Sequence, residues 1–352
     1  MDTKIFKIDD SNLSLYESEL SDASDIIRHG GLVVFPTETV YGLGADGTDA
    51  DACRRIYAAK GRPSDNPLII HIALPTDAED YVYTSELYYR LAERFMPGPL
   101  TVIMRAKDSV PEATRAGLPT VAVRCPENVI ARRLIELSGV PIAAPSANLS
   151  GSPSPTSGEH VIADMKGRVD IIIDGGECTF GLESTIVKIE DDGTLTLLRP
   201  GKITPEELSE FADVNIASSV TAALRDGERV LSPGMKYKHY APKSPVALLS
   251  GDIDAVRAFL TDEAKIAKIA YISYTEDITV LSEIENLKLY DLGAREDAIA
   301  QSHNLFSVLR KTDEGGFDCV YAPKPKTEGV YLALYNRLIR AAAHRIIDLK
   351  EV

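Results

Sequence analysis

Nothing in this 352-residue chain is spaced for a metal or a disulfide framework. Its four cysteines, Cys53, Cys125, Cys178 and Cys319, are scattered, form no C-x-x-C pair and have no histidine at ligand spacing. Reduced, structural thiols are expected, and no base or cation at fixed spacing marks any of them as a nucleophile. Long apolar runs are missing as well, since none reaches the roughly 18 residues that a spanning helix needs. The opening MDTKIFKIDDSNLS lacks the cationic start and apolar stretch of a secretory signal, so a soluble cytoplasmic protein is the expectation. Positive charge is in short supply: 38 Lys and Arg against 53 Asp and Glu leave a formal net charge of −15. That balance excludes a whole-surface phosphate-neutralising footprint and argues against adhesion to an anionic membrane; any RNA contact would need a local patch. A G-x-x-x-x-G-K-[ST] loop is absent, so the charge of a bound nucleoside triphosphate would fall to dispersed side chains. No Ser-His-Asp arrangement can be read from the spacings.

What is present is an ordinary globular composition, 44% hydrophobic and 26% charged, long enough for two domains. Up to about Pro200, short β-rich runs (GLVVFP, PLIIHIA, PLTVIMRA, TVAVRCP, VPIAAP, DIIIDGG, STIVKIE, TLTLLRP) alternate with helical spacing over 51–60, 85–96, 127–138 and 159–166. The Asp191-Asp192-Gly193 turn is too short for a crossover, so the sheet should be mixed. A helix is expected from Thr204. The poorly periodic stretch ending in LSPGMKYKHYAPKSP reads as a linker. Beyond it, PVALLS, KIAYISY, NLKLYDL and FDCVYA alternate with helices near 254–262, 294–311 and 329–347, a βαβ rhythm that implies a small parallel sheet. The expected division is a large α/β domain over 1–212, a linker over 213–244, and a smaller Rossmann-like α/β domain over 245–352.

Several strings invite a chemical reading. GLGADG at 42–47 matches G-x-G-x-x-G, but the acidic residue due about 20 positions later would fall in the turn RPSDNP, so a dinucleotide site is not expected. Thr48 or Asp49 can cap the next helix, and Gly61 can end it in a left-handed conformation ahead of Pro63. Lys60 and Arg62 flank that helix end, either as solvated cations favourably placed at a C-terminus or as partners of an anionic ligand. In TVAVRCP the period of two puts Thr120, Ala122 and Arg124 on one face. An Arg within a strand needs an internal carboxylate or an anionic ligand, and its fork suits a carboxylate. APSANLSGSPSPT and GLESTIVK are crowded with small hydroxyl residues, either as turn chemistry and capping or as donors for a ligand.

The strings PTETVYGLG, KGRPSDNPLIIHI, PGPLTVIM, VAVRCP, APSANLSG, GLESTIV, LLRPG and SPGMKYKHYAP occur in this order. Together they resemble the threonylcarbamoyl-AMP synthase family in its long form, with a YrdC-like N-terminal domain of large, twisted mixed sheet flanked by helices. The match runs from about Gly30 to Pro242, and the closing YLALYNRLIRAAAH also resembles the long form. The resemblance implies a nucleotidyltransferase that converts L-threonine, bicarbonate or CO₂, and ATP into threonylcarbamoyl-adenylate and pyrophosphate. That product would pass to a tRNA threonylcarbamoyl transferase complex for the modification of adenosine 37; direct tRNA binding stays open.

Carried over by motif position, Lys60 and Arg62 are implied as catalytic. Ser64, Asn66, Thr120, Ser146, Asn148, Ser154, Arg199 and Tyr237 join them at ATP, while Thr37, His71, Arg124 and Ser184 would surround threonine. Mg²⁺ is expected to accompany ATP, its ligands unassigned, and no tightly bound organic cofactor is expected. Lys60 and Arg62 would stabilise the transferring and leaving oxygens. Arg124 would hold the substrate carboxylate, and Thr37 or Ser184 its hydroxyl. No general base stands out; His71 is one option and a binding role the other. The linker bearing Tyr237, Lys238 and His239 is expected either to close over the N-terminal domain or to serve as a tether. A competing reading gives the same concave domain an RNA-binding task without chemistry.

Overall fold

The computed structural model describes residues 2–222 and 240–349, so Tyr237, Lys238 and His239, and with them the proposed lid, lie outside the described residues. Two compact units emerge. The first holds the described residues up to Val220 except Gly151–Pro153, and the second holds Gly151–Pro153 with the described residues from 221 onward.

In the first unit eleven strands form one sheet: β1 (Lys4–Lys7), β2 (Val33–Phe35), β3 (Gly42–Asp46), β4 (Ile69–His71), β5 (Leu100–Arg105), β6 (Thr120–Arg124), β7 (Ile142–Ala144), β8 (Ile171–Asp174), β9 (Thr185–Ile189), β10 (Leu195–Arg199) and β11 (Val214–Ile216). The order is β1-β8-β2-β3-β7-β4-β6-β5-β9-β10-β11, and parallel and antiparallel pairs are mixed within it, as the short turns require. The Asp191-Asp192-Gly193 turn joins the antiparallel pair β9 and β10. Around the sheet run α1 (Glu17–Arg28), α2 (Ala50–Lys60), α3 (Glu86–Phe95), α4 (Glu112–Arg115), α5 (Val129–Ser138), α6 (Gly158–Met165) and α7 (Pro205–Leu208). Four of these coincide within two residues with the expected helices. Asp49, not Thr48, caps α2 through its carboxylate, and Gly61 ends it at φ 61°.

The glycine string at 42–47 does not follow a strand; most of it is one. β3 pairs with β2 and β7, and its glycines are small because the neighbours leave no room. A Cβ at Gly44 would stand 2.6 Å from Ile142 and 2.7 Å from Phe35, and one at Gly42 would stand 3.0 Å from Phe35. The phosphate-binding turn of a dinucleotide fold is therefore absent here. Gly44→Ala should lower stability by about 1–3 kcal/mol through overpacking; a urea midpoint equal to that of the wild type would contradict this packing account. β1 and α1 also went unread in the sequence, the latter because its buried stripe is only Leu20, Ala23, Ser24 and Ile27.

The second unit is a five-stranded, wholly parallel sheet of β12 (Val246–Ser250), β13 (Ile269–Tyr274), β14 (Leu287–Gly293), β15 (Cys319–Pro323) and β16 (Ile346–Asp348), ordered β14-β13-β15-β12-β16. Its helices are α8 (Ile253–Glu263), α9 (Ile278–Leu281), α10 (Ala298–Thr312) and α11 (Tyr331–Ala341). The expected helix over 329–347 stops early, because Ala343 and His344 take left-handed conformations (φ 47° and 64°) and Ile346–Asp348 then pairs with β12. Among the described residues no helix is long and apolar enough to cross a membrane.

Candidate active site

The C-terminus of α2 delivers Lys60 inward. Its Nζ donates to the Ser146 carbonyl and, at 2.6 Å, to the Asn148 carbonyl, while Ser146 Oγ donates to Asn148 Oδ1 at 2.6 Å. The Lys60 carbonyl in turn accepts from the Ser150 amide, so the SANLS loop wraps this helix end. Arg62 follows the left-handed Gly61 and donates Nη2 to the Asn66 carbonyl at 3.0 Å, with its guanidinium 5.5 Å from the Tyr57 ring centroid. Lys60 is 4% exposed, Arg62 9%, Arg124 4% and Arg199 7%. The alternative of two solvated cations is thereby overturned. Wholly buried Asn66 has neither amide atom hydrogen-bonded to a described residue, the signature of a polar group that awaits a partner. Ser64, between them, is exposed.

Strand register builds the other half. His71 on β4 lies opposite Arg124 on β6, and Arg124 opposite Thr101 on β5, so all three project from one face of the sheet. Ser184, just before β9, meets Thr101 through a 2.7 Å hydroxyl contact, and Arg199 at the end of β10 donates to both the carbonyl and the hydroxyl of Ser184 at 3.0 Å. Beside this polar row, Ile69, Ile103, Ala122, Ile186 and Leu198 form an apolar cluster. Thr120 shares the face of Arg124, but it stands half-buried at the far end of β6 opposite Arg105, about 13 Å along the strand.

Sequence reasoning left the Arg124 partner open between a carboxylate within the protein and a ligand. The structure supplies Glu38: Arg124 Nη2 donates to its Oε1 at 2.6 Å, both side chains nearly without solvent, and Glu38 Oε2 accepts from the Glu127 amide at 3.2 Å. Arg124 Nε is buried and makes no hydrogen bond to a described residue. Thr37, next in chain, turns its hydroxyl to the Val40 carbonyl at 2.6 Å. Ser154 donates to the buried Glu183 at 2.5 Å. Glu38, Glu183 and Thr101 were missed in the sequence, although the first two sit inside PTETV and GLEST. Their type alone did not separate them from surface acids.

Burial, seconded by the Arg124 charge, pushes His71 down to about 3, so the imidazole is neutral and a poor proton acceptor. Its Nδ1 lies 3.2 Å from the carbonyls of Ile69 and Ile142. The folded value is below the ordinary one of about 6.5, so the unfolded chain binds a proton that the folded chain excludes. Stability tied to His71 is therefore whole above pH 6.5 and is lost as pH falls toward 3, about tenfold in the unfolding constant per pH unit. Urea unfolding at pH 7 and pH 5 should show a shallower pH dependence in His71→Asn than in the wild type; equal slopes would count against the buried neutral ring. Desolvation likewise raises the thiols, Cys53 to about 11 and Cys125 to about 12, which suits structural roles.

Comparison with known proteins bears on this arrangement. A family model described as "Telomere recombination" matches residues 25–201, and one described as "Threonylcarbamoyl-AMP synthase, C-terminal domain" matches 203–343. The threonylcarbamoyl-AMP synthase of Pyrococcus abyssi is 43% identical over 95% of this chain and 96% of its own length. The chain belongs to the threonylcarbamoyl-AMP synthase family. It has both domains of that family and is an enzyme of the nucleotidyltransferase type. The Bacillus subtilis threonylcarbamoyl-AMP synthase is 41% identical over 99% of this chain and its own full length. Among solved structures, P. abyssi Sua5 complexed with L-threonine superposes with a TM-score of 0.86 at 40% identity, covering 99% of both chains. For a threonylcarbamoyl-AMP synthase, buried cations beside a row of hydroxyls are the groups a triphosphate and an amino acid would call upon.

Proposed function

We propose that this chain forms threonylcarbamoyl-AMP and pyrophosphate from L-threonine, bicarbonate or CO₂, and ATP, in the cytoplasm, for threonylcarbamoylation of adenosine 37 in tRNA by a separate transferase complex. The observation that carries the reading is the burial of Lys60, Arg62, Arg124 and Arg199 in one unit of a strongly acidic chain. The solved complex of a 40% identical relative with L-threonine supports the choice of amino acid.

In this reading the threonine amine adds to CO₂ and loses a proton to give a carbamate. A carbamate oxygen attacks the α-phosphorus, the bond to the bridging oxygen breaks, and pyrophosphate leaves with the electron pair. Lys60 and Arg62 meet the growing charge on the phosphate oxygens, a positioning and electrostatic role that needs no covalent intermediate. Ser146 and Asn148 hold Lys60 in place, while Ser64, Asn66, Thr120, Ser154, Arg199 and Tyr237 are assigned to the nucleotide. Arg124 takes the threonine carboxylate, Thr37 or Ser184 its hydroxyl, and neutral His71 packs against it. Valine would leave those hydroxyl partners unmatched. Mg²⁺ would accompany ATP and supply further neutralisation of the phosphate charge, beside that given by Lys60 and Arg62.

The test is a reaction with ¹³C-bicarbonate, L-threonine and Mg-ATP, followed by mass spectrometry and pyrophosphate release. Labelled threonylcarbamoyl-AMP with stoichiometric pyrophosphate is expected, and omission of any one substrate should abolish both. Salt-sensitive tRNA binding with no pyrophosphate release would sink the proposal.

A further inference from the structure

A cavity of about 500 Å³ lies wholly among residues of the second unit. It opens at the carboxyl ends of three neighbouring strands, for Ser250, Tyr274 and Pro323 close β12, β13 and β15 and all line it. From β13 the chain moves outward to β14, whereas from the adjacent β15 it crosses the other way to β16. Connections that part in this manner leave a crevice at the carboxyl edge of an open parallel sheet, where such folds take ligands.

The lining has a definite chemistry. Arg295, Lys324 and Lys326 face two carboxylates, Asp252 and Asp277. Both carboxylates are already engaged. Arg295 Nη2 lies 2.6 Å from each oxygen of Asp277, with the guanidinium 4.4 Å over the Tyr274 ring, and Asp252 accepts from the Ala255 amide as the cap of α8. Lys326 pairs with Glu296 at the exposed surface and lies 5.4 Å from the Tyr331 ring centroid, and Lys324 has no acidic partner among the described residues. Positive charge therefore remains on one rim. Deeper in, Tyr271 is 2% exposed, and its hydroxyl makes no hydrogen bond to a described residue; Leu249, Ile253 and Val256 supply an apolar wall.

We propose that this crevice binds a nucleoside monophosphate, with the phosphate at Lys324 and Lys326, the base against the apolar wall, and the Tyr271 hydroxyl bonded to a polar edge of the ligand. The volume falls in the range of small-ligand sites, and two lysines beside a tyrosine-lined slot suit a phosphate joined to a flat, partly apolar body. One glycine, Gly251, follows β12, so the pyrophosphate turn of a dinucleotide is not built here.

The test titrates radiolabelled AMP, adenosine and inorganic phosphate into the full-length chain by equilibrium dialysis. Lys324→Glu should remove one AMP site or weaken it at least tenfold, and Tyr271→Phe should weaken the same site about fivefold. Both variants should keep wild-type ATP- and threonine-dependent pyrophosphate release, so failure here is separable from failure of the proposed synthesis. Adenosine should bind this site more weakly than AMP. Identical AMP stoichiometry and affinity in wild type and both variants would overturn the proposal, as would inorganic phosphate binding there as tightly as AMP.

Discussion

Replacing Lys60 with methionine is expected to lower ATP- and threonine-dependent pyrophosphate release by about 10²–10³-fold, the loss typical of one preorganised electrostatic donor. Methionine keeps the length of the stem and removes the charge that the Ser146 and Asn148 carbonyls now meet. Some stability will go with it, since those carbonyls lose a donor. Circular dichroism and the thermal midpoint therefore accompany the assay. A folded Lys60→Met enzyme with wild-type turnover would remove this residue from the chemistry.

The second large effect concerns the buried pair Arg124 and Glu38. Arg124→Met alone leaves the Glu38 carboxylate uncompensated away from water and should cost about 3–5 kcal/mol. The double variant Arg124→Met with Glu38→Gln removes both charges and should regain most of that stability, because an ion pair in the interior often does little better than neutral groups of similar shape. Activity should not return: KM for threonine should stay raised about 100-fold or more, since the guanidinium proposed to take the carboxylate is gone. Glu38→Gln alone keeps the fork but loosens its aim, and should raise KM for threonine more than it lowers kcat. Recovery of both stability and threonine affinity in the double variant would reduce Arg124 to a structural member of the sheet.

The parts of this molecule that were legible in the sequence are those governed by neighbours in the chain. The ends of α2 could be read because Asp49 and Gly61 each settle a cap on their own. That Arg124 shares a face with Thr120 and Ala122 could be read because strand alternation is a local rule. Its partner could not, since Glu38 comes 86 positions earlier and only the folded sheet brings them together. β3 escaped notice for a related reason: Gly42 and Gly44 carry poor strand propensity, and only the bulk of Phe35 and Ile142 explains them. The helical stretch after 341 was overestimated because Ala342, Ala343 and His344 raise no objection to a helix in sequence. Left-handed turns at the last two end it.

The strand order of the large sheet also bears on how activity is acquired. β4, β6, β5, β9 and β10 stand side by side, yet they begin at positions 69, 120, 100, 185 and 195. β9 and β10 meet through a short turn, but joining β4 to β6 and β5 to β9 closes loops of several tens of residues before those interstrand bonds reward the ordering. His71, Arg124, Ser184 and Arg199 thus become neighbours only once these distant segments have docked, so regained turnover during refolding should lag behind the local formation of α2 or α5. A chain that stalls before that docking would be helical but catalytically silent.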